Sequence, residues 1–509
     1  MAAAQPPLRA SAETTAEQAT SQALFDMDGD GLNELLYRGV DGELYATTTD
    51  RGPYALYTGS TIDIVPIGDQ GGLYARTPEL LTVSEDGQLV LHEDAYHSGV
   101  RERHVVGGGW QVYNKVVSPG DVNNDGRADV IARTHEGQLY LYLATGTLGK
   151  PLGTRISVGG GWSVYDQVVG AGDANGDGRG DLYARDFNGT LWFYAGTGNT
   201  SRPFATRKSV GTGWNIYNQI IPSGNGGLWA RDDTGTLYDY APNGNGTLAS
   251  RKQKGAVGEW ADVTQFASSG SISHTGKNEV LATTPGGSAY WYKTSTTGKL
   301  APRALYLSEG NWKGFPYFSV SSTGTSNVSA VALVWEGRLT INDYLIGGGW
   351  GIYDHIVGPG DLSGDGRGDL LARDRSGVLY LYRSKPDIAF ETRIRIGSGW
   401  GVYNAIVGSG DYTSDGRKDL LARTTGGDLY LYAGTGNATT PFKSRVKIGS
   451  GWNVYKRLVA PGDLNSDGKG DLLGITPAGE LYRYLNTSPS KLSPRTKIGT
   501  GFQIYNSMT

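Results

Sequence analysis

Residues 361–403 read DLSGDGRGDLLARDRSGVLYLYRSKPDIAFETRIRIGSGWGVY, and residues 411–455 repeat the plan as DYTSDGRKDLLARTTGGDLYLYAGTGNATTPFKSRVKIGSGWNVY. Four strand-like pieces follow one another in each unit: DLLAR, then LYLY after a glycine turn, then the basic TRIRIG or SRVKIG stretch, then GWxVY with the apolar pair behind it. Apolar and polar residues alternate in these pieces, and Gly, Asn, Ser and Asp bound them, which is the signature of short antiparallel strands.

Counting outward by the DLLAR position gives ten units. Six open on an acidic loop; the units at Ile64, Ile220 and Ser271, and the divergent stretch from Val320 to Leu339, lack it. Four short strands in roughly 50 residues describe one blade of a β-propeller. A ring of ten exceeds the usual four to eight blades. The expected fold is therefore all-β, two tandem five-bladed β-propellers: a flexible leader over 1–20, a first propeller over 21–265 and a second over 266–509. The alternative is one larger ring, with the C-terminal strand closing onto the N-terminal blade.

The six loops begin at Asp26, Asp121, Asp173, Asp361, Asp411 and Asp463. Oxygen-bearing side chains stand at positions 1, 3, 5 and 9, and Gly stands at position 6. Such alternation turns several oxygens inward on a hard cation, position 7 adds its backbone carbonyl, and the glycine permits the sharp turn. The expected ligand sets are Asp26, Asp28, Asp30, Leu32 and Glu34; Asp121, Asn123, Asp125, Arg127 and Asp129; Asp173, Asn175, Asp177, Arg179 and Asp181; Asp361, Ser363, Asp365, Arg367 and Asp369; Asp411, Thr413, Asp415, Arg417 and Asp419; Asp463, Asn465, Asp467, Lys469 and Asp471. Up to six Ca2+ are expected, mainly to hold turns. The position-9 acid is expected to tie each loop to the strand that follows it. Small, accessible calcium modules of this kind bind on the order of 0.1–1 mM and fill outside cells, so a secreted, extracellular location is expected.

Composition agrees with short strands and tight turns: 79 Gly, 31 Tyr and 12 Trp in 509 residues. There is no cysteine, hence no disulfide framework and no thiolate site. The net charge of −4 hides an asymmetry, because 19 of the 50 acids lie in the six loops. The 46 basic residues are scattered, so no nucleic-acid footprint is read. No apolar run reaches the roughly 18 residues of a membrane span.

The acidic loop at a strand turn resembles the FG-GAP/VCBS repeat, the calcium-binding propeller unit also found in integrin α subunits. The GxGW stretch with paired LY dipeptides resembles the tachylectin-2 family of five-bladed lectins, most clearly in GTGWNIYNQIIPSGNGGLWARDDTGTLYDY (211–240). Together the two resemblances span about residues 22–509. They imply a binding propeller without enzymatic activity, and tachylectin-like relatives bind N-acetylated amino sugars.

The candidate carbohydrate-binding residues are the pairs Trp110/Tyr113, Trp162/Tyr165, Trp214/Tyr217, Trp350/Tyr353, Trp400/Tyr403 and Trp452/Tyr455. Read as strand residues three apart, each pair points to opposite faces. One ring would be core and the other open to a sugar's apolar CH face; the competing reading is plain packing between blades. The arginine ending DLLAR (Arg133, Arg185, Arg231, Arg373, Arg423) reads as an exposed strand end. The six histidines form no HExxH pair, Gln70 stands where the stretch GDQGG would need a nucleophile, and neither a GxSxG elbow nor a phosphate loop occurs. The function expected is a secreted, calcium-stabilised lectin for cell-surface or cell-wall glycans, with amino sugars favoured. The alternative is a protein-binding scaffold or adaptor of an extracellular assembly, docking through a propeller face or the leader.

Overall fold

The computed structural model describes residues 23–39, 44–48, 51–56, 61, 63–70, 77–84, 87–93, 102–268, 279–295, 298–308, 317–320, 330–385, 389–465 and 467–509. The leader 1–20 lies outside them, as do parts of the units at Ile64, Ser271 and Val320. Among the described residues every regular element is a short strand or a single 3-10 turn, and no helix is long and apolar enough to cross a membrane.

A complete unit is the sheet of Tyr113–Gly120, Asp129–Thr134, Leu139–Tyr142 and Ile156–Gly159, antiparallel and in chain order. The acidic loop joins its first and second strands. The GWxVY piece is not a fourth strand, as its alternation suggested. Its Trp opens a 3-10 turn, Trp110–Val112, and its Tyr begins the first strand of a sheet. Gly109 before the turn has φ 91°, a left-handed conformation costly for any residue with a Cβ. The turn is therefore the crossing from one sheet to the next.

Apolar side chains on both faces of each sheet pack against its neighbours. Leu80 and Ile64 meet Leu36 and Leu44 of the sheet before. Val65 and Leu81 meet Val116 and Val130 of the sheet after. Shared cores continue through Val117 and Val168, then Val169 and Ile220. Ile221 and Leu237 then return to Leu35 and Phe266. The sheet holding Leu36–Gly39 takes its inner strand from Val263–Phe266, with Tyr37 opposite Phe266. In the second half, Ser507–Met508 pairs with Glu279–Thr283, and Val459 and Leu473 pack on Val280 and Met508. These repeated, radially packed four-stranded sheets make an all-β propeller architecture. Ala267 and Ser268 donate their amides to Leu36 and Ile64. The closing strand carries a large share of the core, for Phe266 is fully buried between Tyr37 and Trp260. Phe266→Ala is expected to cost ~3–5 kcal/mol by urea unfolding. Faster hydrogen exchange at 36–39 would place the loss at the seam.

The two halves touch through the loops of the second. The carbonyl of Asp415 accepts from Asn114 Nδ2 at 2.9 Å and from His135 Nδ1 at 2.7 Å. The carbonyl of Asn465 accepts from Asn218 Nδ2 at 2.6 Å. Lys469 lies 3.3 Å from Asp166, and Arg417 pairs with Glu136.

Candidate functional site

Each acidic loop is organised around its first aspartate. Asp121 accepts the amides of Asn123, Asp125 and Gly126, and Asp173 those of Gly176, Asp177 and Gly178. The same pattern holds at Asp26, Asp361, Asp411 and Asp463. Position 5 accepts the amide of position 7, at 3.0 Å for Asp125, Asp177, Asp365, Asp415 and Asp467 and 2.8 Å for Asp30. Position 2 turns the other way: Val122, Ala174, Leu362, Tyr412 and Leu464 are buried. A buried foot thus anchors each of these loops.

Position 9 is buried at Asp129, Asp181, Asp369, Asp419 and Asp471. Asp129 accepts the amides of Val122 at 3.0 Å and Ala144 at 2.9 Å. Asp181 does the same with Ala174 and Gly196. The position-9 acid therefore ties its loop to the segment after the third strand, beyond the strand expected. Burial, against the pull of these amides, raises Asp129 and Asp181 to about 7 and Glu34 to about 8. In the first loop, carboxylate oxygens of Asp26, Asp28, Asp30 and Glu34 lie within 4.8 Å of one another. Four acids held that close, one of them pushed far above the usual carboxylate range, fit a hard divalent cation taking oxygen ligands. Bound there, the cation would neutralise the charge and fix the turn.

The aromatic pairs do not divide between two faces. A 3-10 turn has three residues per turn, so residues i and i+3 stand over one another. Trp110 and Tyr113 pack at 5.3 Å and Trp452 and Tyr455 at 5.9 Å between ring centroids, with the other pairs between. The six Trp are only 6–8% exposed. Tyr113, Tyr165, Tyr217, Tyr403 and Tyr455 are buried too, and Tyr353 is half-buried. Each Trp also packs on the second Tyr of LYLY or its equivalent, at 4.4–4.9 Å. Hydroxyls of the turn Tyr and that second Tyr meet at 2.5–2.7 Å. The pairs are the packing between sheets, and neither ring is an open stacking platform.

What the turn does expose is its third residue. Val112, Val164, Ile216, Ile352, Val402, Val454 and Ile504 are 45–52% exposed. A Cβ placed on Gly109, Gly161, Gly213, Gly399 or Gly451 would meet nothing within 4 Å, so the space over each turn is open. The sequence signal was present, a Val or Ile always two residues after the aromatic, but it read as one more strand residue.

The DLLAR arginines are not exposed ends. Arg133, Arg185 and Arg231 are at most 2% exposed. Each reaches to the next turn: Arg133 Nη1 donates to the carbonyls of Trp162 at 3.0 Å and Tyr165 at 2.6 Å. Arg185, Arg231, Arg373 and Arg423 repeat this at Trp214, Trp260, Trp400 and Trp452. Burial pulls Arg133 to about 10 and Arg231 to about 9, still charged at neutral pH. A guanidinium forks across two carbonyls, stapling one sheet to the next.

Residues 121–184, 361–422 and 411–474 match the FG-GAP-like repeat, and residues 153–322 match the tachylectin family. No curated protein matches the chain. Similar solved structures include an Agrocybe aegerita lectin recognising non-reducing terminal N-acetylglucosamine, at 14% identity over 95% of this chain and 93% of that one, TM-score 0.23. A Burkholderia pseudomallei lectin is 12% identical over 77% and 100%, TM-score 0.26. A periplasmic gluconolactonase of Pseudomonas aeruginosa is 12% identical over 82% and 97%, TM-score 0.27.

Proposed function

We propose that this chain, which carries FG-GAP-like repeats and a tachylectin region, is a secreted, calcium-stabilised lectin built as two five-bladed propellers. The observation that carries the reading is the tachylectin match over 153–322, a stretch containing the turns at Trp162 and Trp214. Turns of the same form recur at Trp350, Trp400 and Trp452. The sugar's apolar face lies against the exposed Val or Ile of a turn, with the backbone of the flanking glycines as polar partner. Amino sugars are the favoured class. Several weak sites on one rigid body give avidity on a dense glycan surface. Calcium fills the acidic loops and holds the crossings in place.

A glycan array probed with the full chain, in calcium and then in chelator, tests this. Val164→Asp, Ile216→Asp and Val402→Asp together leave the core untouched and are expected to weaken binding at least about tenfold, or ~1.4 kcal/mol. Absence of glycan binding in calcium, with a protein partner co-purifying instead, would replace the lectin by an adaptor.

A further inference from the structure

In the first half, the residues just after the turn tyrosines (Asn114, Asp166 and Asn218) form a docking face. Each sits beside its staple arginine: Arg133 Nε donates to Asn114 at 2.9 Å, Arg185 pairs with Asp166 at 2.6 Å, and Arg231 Nε donates to Asn218 at 3.0 Å. All three are covered. Asn114 is 8% and Asn218 4% exposed, and the Asp166 side chain 7%. What covers them is a pair of loops on consecutive sheets of the second half, 411–419 and 463–471. These loops offer backbone carbonyls to the two asparagines and the ammonium of Lys469 to Asp166.

The second half carries the same face at the same place in its sheets, and there it is open. Asp354 pairs with Arg373 at 2.9 Å, and Asn404 Oδ1 accepts from Arg423 at 2.9 Å. Yet the Asp354 side chain is 39% exposed, and Asn404 and Lys456 are exposed. The Asn404 amide nitrogen and the Lys456 ammonium have no hydrogen-bond partner among the described residues.

The matching loops lie in the first half. Loops 121–129 and 173–181 also lie on consecutive sheets. They also carry a base at position 7, Arg127 and Arg179. Asp125, Gly126 and Arg127 are exposed, and so are Gly176 and Asp177, with Arg179 half-buried 3.4 Å from Asp177; Asp415, Gly416 and Arg417 of the seated loop are half-buried.

We propose that the open face of the second half receives loops 121–129 and 173–181 of a second copy of this chain, so that copies join head to tail. Asp354, in the place of Asn114, takes a position-7 guanidinium, and Asn404 and Lys456, in the places of Asp166 and Asn218, donate to loop carbonyls. Charge-assisted bonds of this kind are among the stronger polar contacts. Because the two surfaces differ, the contact is heterologous and extends rather than closing as a twofold dimer.

Sedimentation velocity of the full chain in calcium, over a concentration series, is expected to show species at whole multiples of the single-chain mass. Asp354→Asn with Lys456→Glu blocks one end, and the Asn is the residue the fold already uses at position 114. Arg127→Glu with Arg179→Glu blocks the other; Gln at both positions is the milder second set. Each blocked variant alone is expected to stay at single-chain mass, and an equimolar mixture to reach twice that mass and no more. A wild-type chain monomeric throughout, a mixture that stays monomeric, or a dimer indifferent to both sets would overturn the proposal.

Discussion

With calcium chelated, the melting temperature of this chain is expected to fall as pH rises from about 4 to 7, and to recover on adding millimolar calcium. Burial lifts the Asp129 and Asp181 carboxyls from 3.8 to about 7, and Glu34 from 4.5 to about 8. Across that window the folded chain keeps protons that the unfolded chain has lost. Stability is therefore highest at the acid end and drains away as pH climbs through the folded-state values. A shift of about three units corresponds to about 4 kcal/mol per group as an upper bound, so losing even half of it at each of several loops moves the melting temperature by roughly 10 °C or more. Asp166 opposes this only at lower pH. Its burial would raise it, but Arg185 and Lys469 win and hold it at about 2; its contribution is present above 3.8 and is lost as pH falls toward 2. Calcium bound in the loops would reverse the neutral-pH loss by taking the unpaired charge, and 1 mM against a ~0.1 mM site would add ~1.4 kcal/mol per loop. Asp129→Asn should flatten part of the pH slope. A melting temperature in chelator that rises between pH 4 and 7, or one indifferent to calcium, would remove the metal from this account.

Arg185→Met is expected to be among the most damaging single substitutions away from the loops, at ~3–5 kcal/mol by urea unfolding. The side chain is almost fully buried. It donates to the carbonyls of Trp214 at 2.9 Å and Tyr217 at 2.5 Å while pairing with Asp166. Methionine fills similar volume but leaves two carbonyls without a donor and a buried carboxylate with Lys469 alone. Arg185→Lys should recover little, since an ammonium cannot span two carbonyls and a carboxylate with a planar fork. Adding Asp166→Asn to Arg185→Met should restore part of the loss, because the stranded charge goes with it. A cost below about 1 kcal/mol would return this arginine to the surface role that its strand-end position suggested.

The limits of reading such a chain in one dimension show at particular residues. Period-two alternation carried GWxVY into a strand, whereas the glycine at φ 77–91° and the 3-10 turn make it a crossing between sheets. That change of local geometry put both rings of each pair inside and brought the Val or Ile out. Arg133 is adjacent in sequence to polar turn residues, but the two carbonyls it bonds lie 29 and 32 residues on. Asn114 bonds a carbonyl 301 residues away, and no local pattern encodes that.

The repeat, its strand content and the spacing of loop oxygens were set in one dimension, because alternation and turn chemistry act between near neighbours along the chain. Which carboxylates are buried, which arginines staple sheets, and which of two equivalent faces is covered were decided only in three. Burial depends on what packs from elsewhere, so the same place in the unit is closed at Asn218 and open at Lys456.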